Sequence, residues 1–260
     1  MKTKIARFRF YEELNDFLPP EKRKIAFDYL FKGRPGVKDA IEALGVPHPE
    51  VDMILVNGRP VDFSYLLQDG DRVAVYPVFE ALDISGVTRL REKPLRNPRF
   101  ILDVHLGKLA RRLRLLGFDA RYANHYSDRE IIEIAAAEQR IILTRDRGLL
   151  KNKQVRRGYW LRSQQPREQL EEVLARFDLA SLAQPFTRCL ECNSEITAVE
   201  KEAIAGQLLP DTRKFYRQFY QCRGCGKIYW QGSHYRKMLA FAGEVVEVAK
   251  VKGKRKKVKG

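Results

Sequence analysis

The chain has 260 residues, 44% of them hydrophobic, which suffices for one large domain or for two to three small ones with a core each, and excludes a wholly disordered protein. Its net charge of +16 is unevenly placed: residues 1–93 hold 15 basic and 15 acidic side chains, the remainder 34 and 18. No apolar run nears the roughly 20 residues that span a bilayer, and MKTKIARFRFYEE lacks the apolar core of a secretion signal, so a cytoplasmic protein is expected.

The first part reads as a small mixed domain over 1–84. In ARFRFY, Ala6, Phe8 and Phe10 share one face and Arg7 and Arg9 the other, as in a half-buried strand. KIAFDYL follows a proline-containing break as a second strand. Val37, Ala40, Ile41 and Leu44 recur at helical spacing, with Gly45 at the stop. MILVNGRPVD is a strand with an Asn-Gly turn, and QDGDRVAVYPVF a further turn and closing strand. Strand, strand, helix, strand, strand is the β-grasp order, and residues 4–80 resemble the ubiquitin-like sulfur carriers of the ThiS and MoaD type. Those carriers act through a free Gly-Gly terminus. Here VAVYPVF runs on into EALDISG, so an interaction or packing module that could take a protein partner is expected, without sulfur chemistry.

Residues 85–98, charged and with two prolines, read as a linker. From Arg99 to 184 strands and helices alternate, which implies a parallel sheet with helices on its faces. RFILD is a strand. Leu106, Leu109, Ala110, Leu113 and Leu116 make the apolar face of a helix whose basic side includes Arg111 and Arg112, candidate nucleic-acid contacts. FDARYAN is a second strand, Ser127 to Glu130 has the form of a capping box before a helix, and IILTRD is a third strand. GYWLR and PREQLEEVLARFDL give a further strand and helix.

Asp103 ends the first of these strands, Asp146 ends the third, and Asp128 and Glu130 open the helix after the second. The carboxyl ends of parallel strands share one sheet edge, so these groups can converge. Converging carboxylates repel unless a divalent cation lies among them, and oxygen-only ligands favour Mg²⁺ or Mn²⁺ over zinc. In a basic domain, such a cation suits phosphodiester hydrolysis. Arg145 and Arg147 flank Asp146 and suit phosphate contacts, or surface ion pairs. Asp103 and Asp128 taken singly read equally well as helix caps.

FILDVHLGKLARRLRLLGFDA, SDREIIEIA, IILTRDRGLL, CLEC and CRGCGKIYWQGSH stand in order within residues 99–238, which resemble the Mut-seven C-terminal RNase family, a branch of the PIN-like nucleases. The resemblance implies a metal-dependent ribonuclease with Asp103 and Asp146 as ligands and Asp128 or Glu130 completing the site. Thr144 would orient Asp146 or hold a water. Such nucleases often carry another acidic residue after the strand that follows Asp146, but residues 147–167 contain none. The rival reading is therefore a PIN-like RNA-binding or adaptor protein that does not cut.

All four cysteines fall in two pairs, Cys189-x-x-Cys192 and Cys222-x-x-Cys225, the spacing of a four-thiolate zinc ribbon, here over 185–246. Four thiolates close the coordination shell, so this zinc would be structural; redox pairs or disulfides are the alternatives. Between and after the pairs, aromatic and basic residues interleave. Most of these rings suit the ribbon's own small core, while His234 and Tyr235 are the candidates for RNA contact. The run KVKGKRKKVKG, within 247–260, is expected to be a disordered basic tail that adds salt-sensitive affinity for nucleic acid. Pairing with a second copy of the chain is left open.

Overall fold

The computed structural model describes residues 2–77 and 98–258, with side chains as far as Val251. The linker expected at 85–98 lies outside these residues except for Pro98, as does the end of the first domain. The chain divides into two compact units, Met1–Arg96 with Thr144–Trp160, and Asn97–Leu143 with Leu161–Gly260.

The N-terminal part of the first unit comprises β1 (Lys4–Phe10), β2 (Ala26–Phe31), α1 (Val37–Ala43), β3 (Val51–Val56), β4 (Arg59–Val61) and β5 (Arg72–Pro77). The sheet order is β2-β1-β5-β3-β4, with β1 and β5 parallel at its centre and the other pairs antiparallel. This is the β-grasp arrangement. Ala6, Phe8 and Phe10 are buried and Arg7 and Arg9 exposed, as alternation requires, and the inward rings meet Val37, Ala40 and Ile41 of α1 in one core. Both residues of the Asn57–Gly58 turn have positive φ (51° and 80°), which fits the twist of a two-residue hairpin.

The chain continues through β6 (Phe100–Leu102), α2 (Gly107–Leu115), β7 (Ala120–Arg121), α3 (Asp128–Glu138) and β8 (Ile141–Thr144). Strand β6 pairs in parallel with β7 on one side and β8 on the other, in the register Leu102↔Leu143. The capping box forms as read: the Ser127 hydroxyl accepts from the Glu130 amide, while the Glu130 carboxylate accepts from the Ser127 amide at 2.8 Å. Strand β7 is far shorter than FDARYAN suggests. The Ala120 amide, on the edge of β7 that faces away from β6, donates to the side chain of Asn193 at 2.9 Å.

There follow α4 (Arg147–Leu150), β9 (Gly158–Trp160) and α5 (Pro166–Arg176), then β10 (Ile196–Val199), α6 (Lys201–Ile204), α7 (Pro210–Phe215), β11 (Phe219–Cys222), β12 (Ile228–Trp230) and α8 (Ser233–Val258). Strands β10, β11 and β12 form an antiparallel sheet in that order. The segment read as a disordered tail from 247 instead continues α8 as far as Val258. Ala242, Val245 and Ala249 form a buried stripe at helical spacing, and α8 packs along α5, where Arg167 pairs with Glu244 at 2.9 Å. Lysine and arginine favour helix once such a stripe has anchored it. No helix among the described residues is long and apolar enough to cross a membrane.

Within the second unit, buried polar groups tie the sheet to the cysteine module. Asp119 accepts from Arg140 Nη1 at 2.6 Å and from Asn193 Nδ2 at 2.7 Å. Arg114, which the helical pattern puts on the basic surface, is instead buried; it donates to the Ala120 carbonyl at 2.8 Å and to the Glu191 carbonyl at 2.6 Å. Burial raises the Asp119 carboxyl, but the bonds from Arg140 and Asn193 outweigh it and hold the group below 3.8. A depressed carboxyl contributes stability above its unfolded pKa and loses it as pH falls through the folded value. Asp119→Asn should therefore cost about 3 kcal/mol near pH 7, and the gap in melting temperature from the parent, followed by circular dichroism, should narrow as pH is taken below 3.8.

Candidate functional site

The four cysteine sulfurs lie within 4.8 Å of one another, with Cys189 and Cys222 buried and Cys192 and Cys225 exposed. The Cys189–Cys225 separation is 3.6 Å and the Cys192–Cys222 separation 3.3 Å. Thiolates at about 2.3 Å from a tetrahedral zinc would stand roughly 3.8 Å apart, so the set fits this ion with little adjustment. The amides of Gly224 and Cys225 donate to Cys222 Sγ at 3.3 and 3.4 Å, and the Tyr229 hydroxyl lies 3.0 Å from Cys189 Sγ. A Cβ at Gly224 would stand 2.3 Å from the Ser194 hydroxyl oxygen and 2.9 Å from its Cβ, so a larger residue there would displace Ser194.

The thiols bear on one another. Burial raises Cys192, yet the Ser194 hydroxyl and amide with the neighbouring sulfurs bring it down to about 6. At Cys225 the Lys227 amide pulls downward, but burial and three adjacent sulfurs push it up to about 12. Four thiolates so close need a cation to coexist, and a closed sulfur shell leaves no position for substrate. The metal this set can hold is structural.

The carboxylates are placed as follows. Asp103 lies just beyond β6, almost wholly buried, and accepts from the His105 amide at 3.4 Å. Asp128 is the first residue of α3 and is exposed, and Glu130 closes the capping box. Thr144 is fully buried and its hydroxyl accepts from the Asp146 amide at 2.8 Å; Asp146 caps α4 by accepting from the Gly148 amide at 2.6 Å. Asp103 belongs to the second unit and Asp146 to the first. Among the described residues the four cysteines alone gather ligand atoms of three or more His, Cys, Asp or Glu side chains within 4.8 Å.

The basic candidates differ in setting. Arg111 pairs with Glu191 at 3.2 Å, and Arg112 lies 5.3 Å from the Phe241 ring centre. Arg145 is exposed, its carbonyl accepting from the Trp160 indole at 3.1 Å. Arg147 stacks on Trp160 at 4.1 Å and also lies over Phe17 at 5.2 Å. His234 is exposed, whereas Tyr235 packs on Phe186 with 4.4 Å between ring centres.

Sequence reasoning does not foresee how the segment carrying Asp146 is held. Inside the first unit, Trp160 donates its amide to Glu50 at 2.5 Å and Lys151 donates to the Glu42 carbonyl at 3.0 Å. His48 donates from Nε2 to the Val155 carbonyl at 2.7 Å, and its Nδ1 shares a proton with Glu42 at 2.6 Å. Burial holds this imidazole below its ordinary pKa, against the pull of Glu42. These partners are about a hundred residues apart in sequence, and no local pattern marks them. The apolar spacing of Phe241, Ala242, Val245 and Ala249 was, by contrast, a legible sign of α8.

A β-grasp unit, a parallel α/β sheet with carboxylates beyond its strands, and a four-cysteine ribbon define a modular α/β protein with a sulfur set that could hold a structural metal. Residues 98–242 match the family model described as the Mut7-C RNAse domain, and residues 3–83 match the one described as Mut7-C ubiquitin. The first match spans more than half of the chain, which therefore belongs to the Mut7-C RNAse domain family, a nuclease-type assignment. Comparison with curated proteins and with solved structures gave no match.

Removing metal with a thiol-competitive chelator should unfold residues 186–238 and leave the β-grasp core standing, because metal binding and folding are linked in such modules. Limited proteolysis mapped by mass spectrometry checks this: new cuts should fall within that range, and an unchanged pattern would contradict a structural zinc.

Proposed function

We propose that the protein is a cytoplasmic metal-dependent ribonuclease that hydrolyses RNA phosphodiester bonds at the sheet edge bearing Asp103. The match of residues 98–242 to an RNase family carries this reading. The register supports it: β6 and β8 run parallel with Leu102 opposite Leu143, and the Asp103 amide donates to the Leu143 carbonyl at 3.1 Å. The chain thus leaves both strands at one edge, where Asp103 follows the first, and in sequence Asp146 comes three residues after Leu143.

Asp103, Asp146 and the exposed Asp128 offer hard oxygen donors suited to Mg²⁺ or Mn²⁺, with Glu130 as the further carboxylate. A bound divalent cation would lower the pKa of an attacking water and offset charge on the phosphate. The Thr144 hydroxyl holds the Asp146 turn by accepting from the Asp146 amide, and Arg145, exposed beside it, would meet a phosphate. The lack of any acidic residue over 147–167 favours the second reading, an RNA-binding or adaptor protein that does not cut. For the β-grasp unit we propose a protein partner, supported by the cross-strand pair Ile5 and Leu30, which are 44% and 65% exposed.

Mixed-sequence single-stranded RNA incubated with the protein and Mn²⁺ or Mg²⁺ should be cut, and EDTA should stop it. Asp146→Asn should lower the rate at least about 100-fold, since even residues behind metal ligands cost 10–100-fold. RNA binding should persist or tighten, because a negative charge is lost. Binding with no metal-dependent cutting in the parent protein would favour the adaptor reading.

A further inference from the structure

Between its cysteine pairs the ribbon carries an insertion, α6, a 3-10 turn (Ala205–Gln207) and α7, that the metal centre does not need. Ile204 is its buried anchor, while α7 buries no residue at all. The insertion borders an open surface groove of ≈ 430 Å³ lined by Lys201, Leu208, Pro210, Arg213, Lys214 and Arg217. That volume falls in the usual range of ligand pockets, about 300–1,000 Å³.

Four of the six lining residues are cations, and none has an ion-pair partner among the described residues. Two cations beside the cysteine turns differ: Lys227 pairs with Glu191 at 2.9 Å and Arg223 approaches Glu195 at 4.0 Å. Like charges that line one groove without an ion pair favour an anion that sits among them. Beside them, Leu209 is 73% and Phe215 69% exposed, and the Lys214 ammonium lies 5.5 Å from the Phe215 ring centre. The next residue, Tyr216, lies 6.3 Å from Trp230, itself partly exposed, so further rings stand next to the cations.

We infer that this insertion is a binding site for single-stranded RNA, separate from the carboxylate edge: backbone phosphates enter the groove of Lys201, Arg213, Lys214 and Arg217, and an unpaired base stacks on Phe215. Cations alone would serve any polyanion. An exposed ring among them selects a ligand with flat faces as well as charge, as unpaired nucleotides have and duplexes, acidic peptides and lipid headgroups lack. The insertion lies inside the matched RNase domain, so its ligand is the polymer on which that domain acts, and in this respect the inference rests on the nuclease reading.

The test uses the full zinc-loaded chain, a labelled 20-nucleotide single-stranded RNA of mixed sequence, and anisotropy across a salt series at calcium concentrations that do not support cutting. The triple variant Arg213→Ala, Lys214→Ala, Arg217→Ala should bind at least about tenfold more weakly. Its plot of log affinity against log salt should be shallower by about 2, at about 0.7 per phosphate contact on a single strand. Phe215→Ala should bind roughly 5- to 100-fold more weakly with the slope unchanged, the signature of stacking lost without charge. Zinc content and melting temperature should match the parent in both. Parental affinity and slope in the triple variant would overturn the inference, as would displacement of the RNA by duplex, poly-glutamate or anionic vesicles as readily as by unlabelled single strand. Under Mn²⁺ the triple variant should keep kcat and raise KM. A parent that binds as described yet never cuts sinks the nuclease reading and leaves this site standing.

Discussion

The second unit depends on one largely buried carboxylate, that of Asp119. Asp119 takes hydrogen bonds from Arg140, which also holds the Phe100 carbonyl at 3.0 Å, and from Asn193, which follows directly on a cysteine of the metal centre. One charge thus fixes the first strand of the parallel sheet, its shortened neighbour and the first cysteine turn. Removing Arg140 would leave the Asp119 charge without its main cationic partner in a largely buried setting, so these two positions are set together. Arg114 works in parallel, reaching from α2 to the backbone on either side of the same junction. The ribbon is in this sense part of the nuclease-type unit rather than an appendage, in keeping with a family match that runs through both.

The first unit makes a comparable use of its β-grasp fold. The sulfur carriers that it resembles act through a free terminus, whereas here Glu42, His48, Glu50 and Phe17 bind the segment Thr144–Trp160. The turn that presents Asp146 is therefore built on a framework supplied by residues a hundred positions earlier. This gives the ubiquitin-like domain a structural duty within its own chain, which is compatible with an outward face for a partner.

Much of the architecture is legible in the sequence. The alternation around Phe8, the helical spacing from Leu106 to Leu116, the Ser127–Glu130 capping box and the paired cysteines each rest on interactions that reach four residues or fewer, or on a ligand spacing that chemistry narrows. Asp103 and Asp146 could be placed at strand ends for the same reason. What failed was where a longer-range partner competed with a local preference. Arg114 turned inward although its neighbours Arg111 and Arg112 carry the same charge, and a buried apolar stripe drew a lysine-rich end into α8.

The sequence by itself determined the order and type of most elements, the sulfur ligand set, the capping of α3 and the concentration of positive charge beyond residue 93. Tertiary structure alone decided which cations are spent on internal bonds and which stay unpaired around the insertion, and which unit holds the Asp146 turn. The division follows from range. Backbone propensity, periodicity and capping act between near neighbours and are written into short stretches, whereas the fate of a charge depends on which distant carboxylate, carbonyl or ring the fold brings to it.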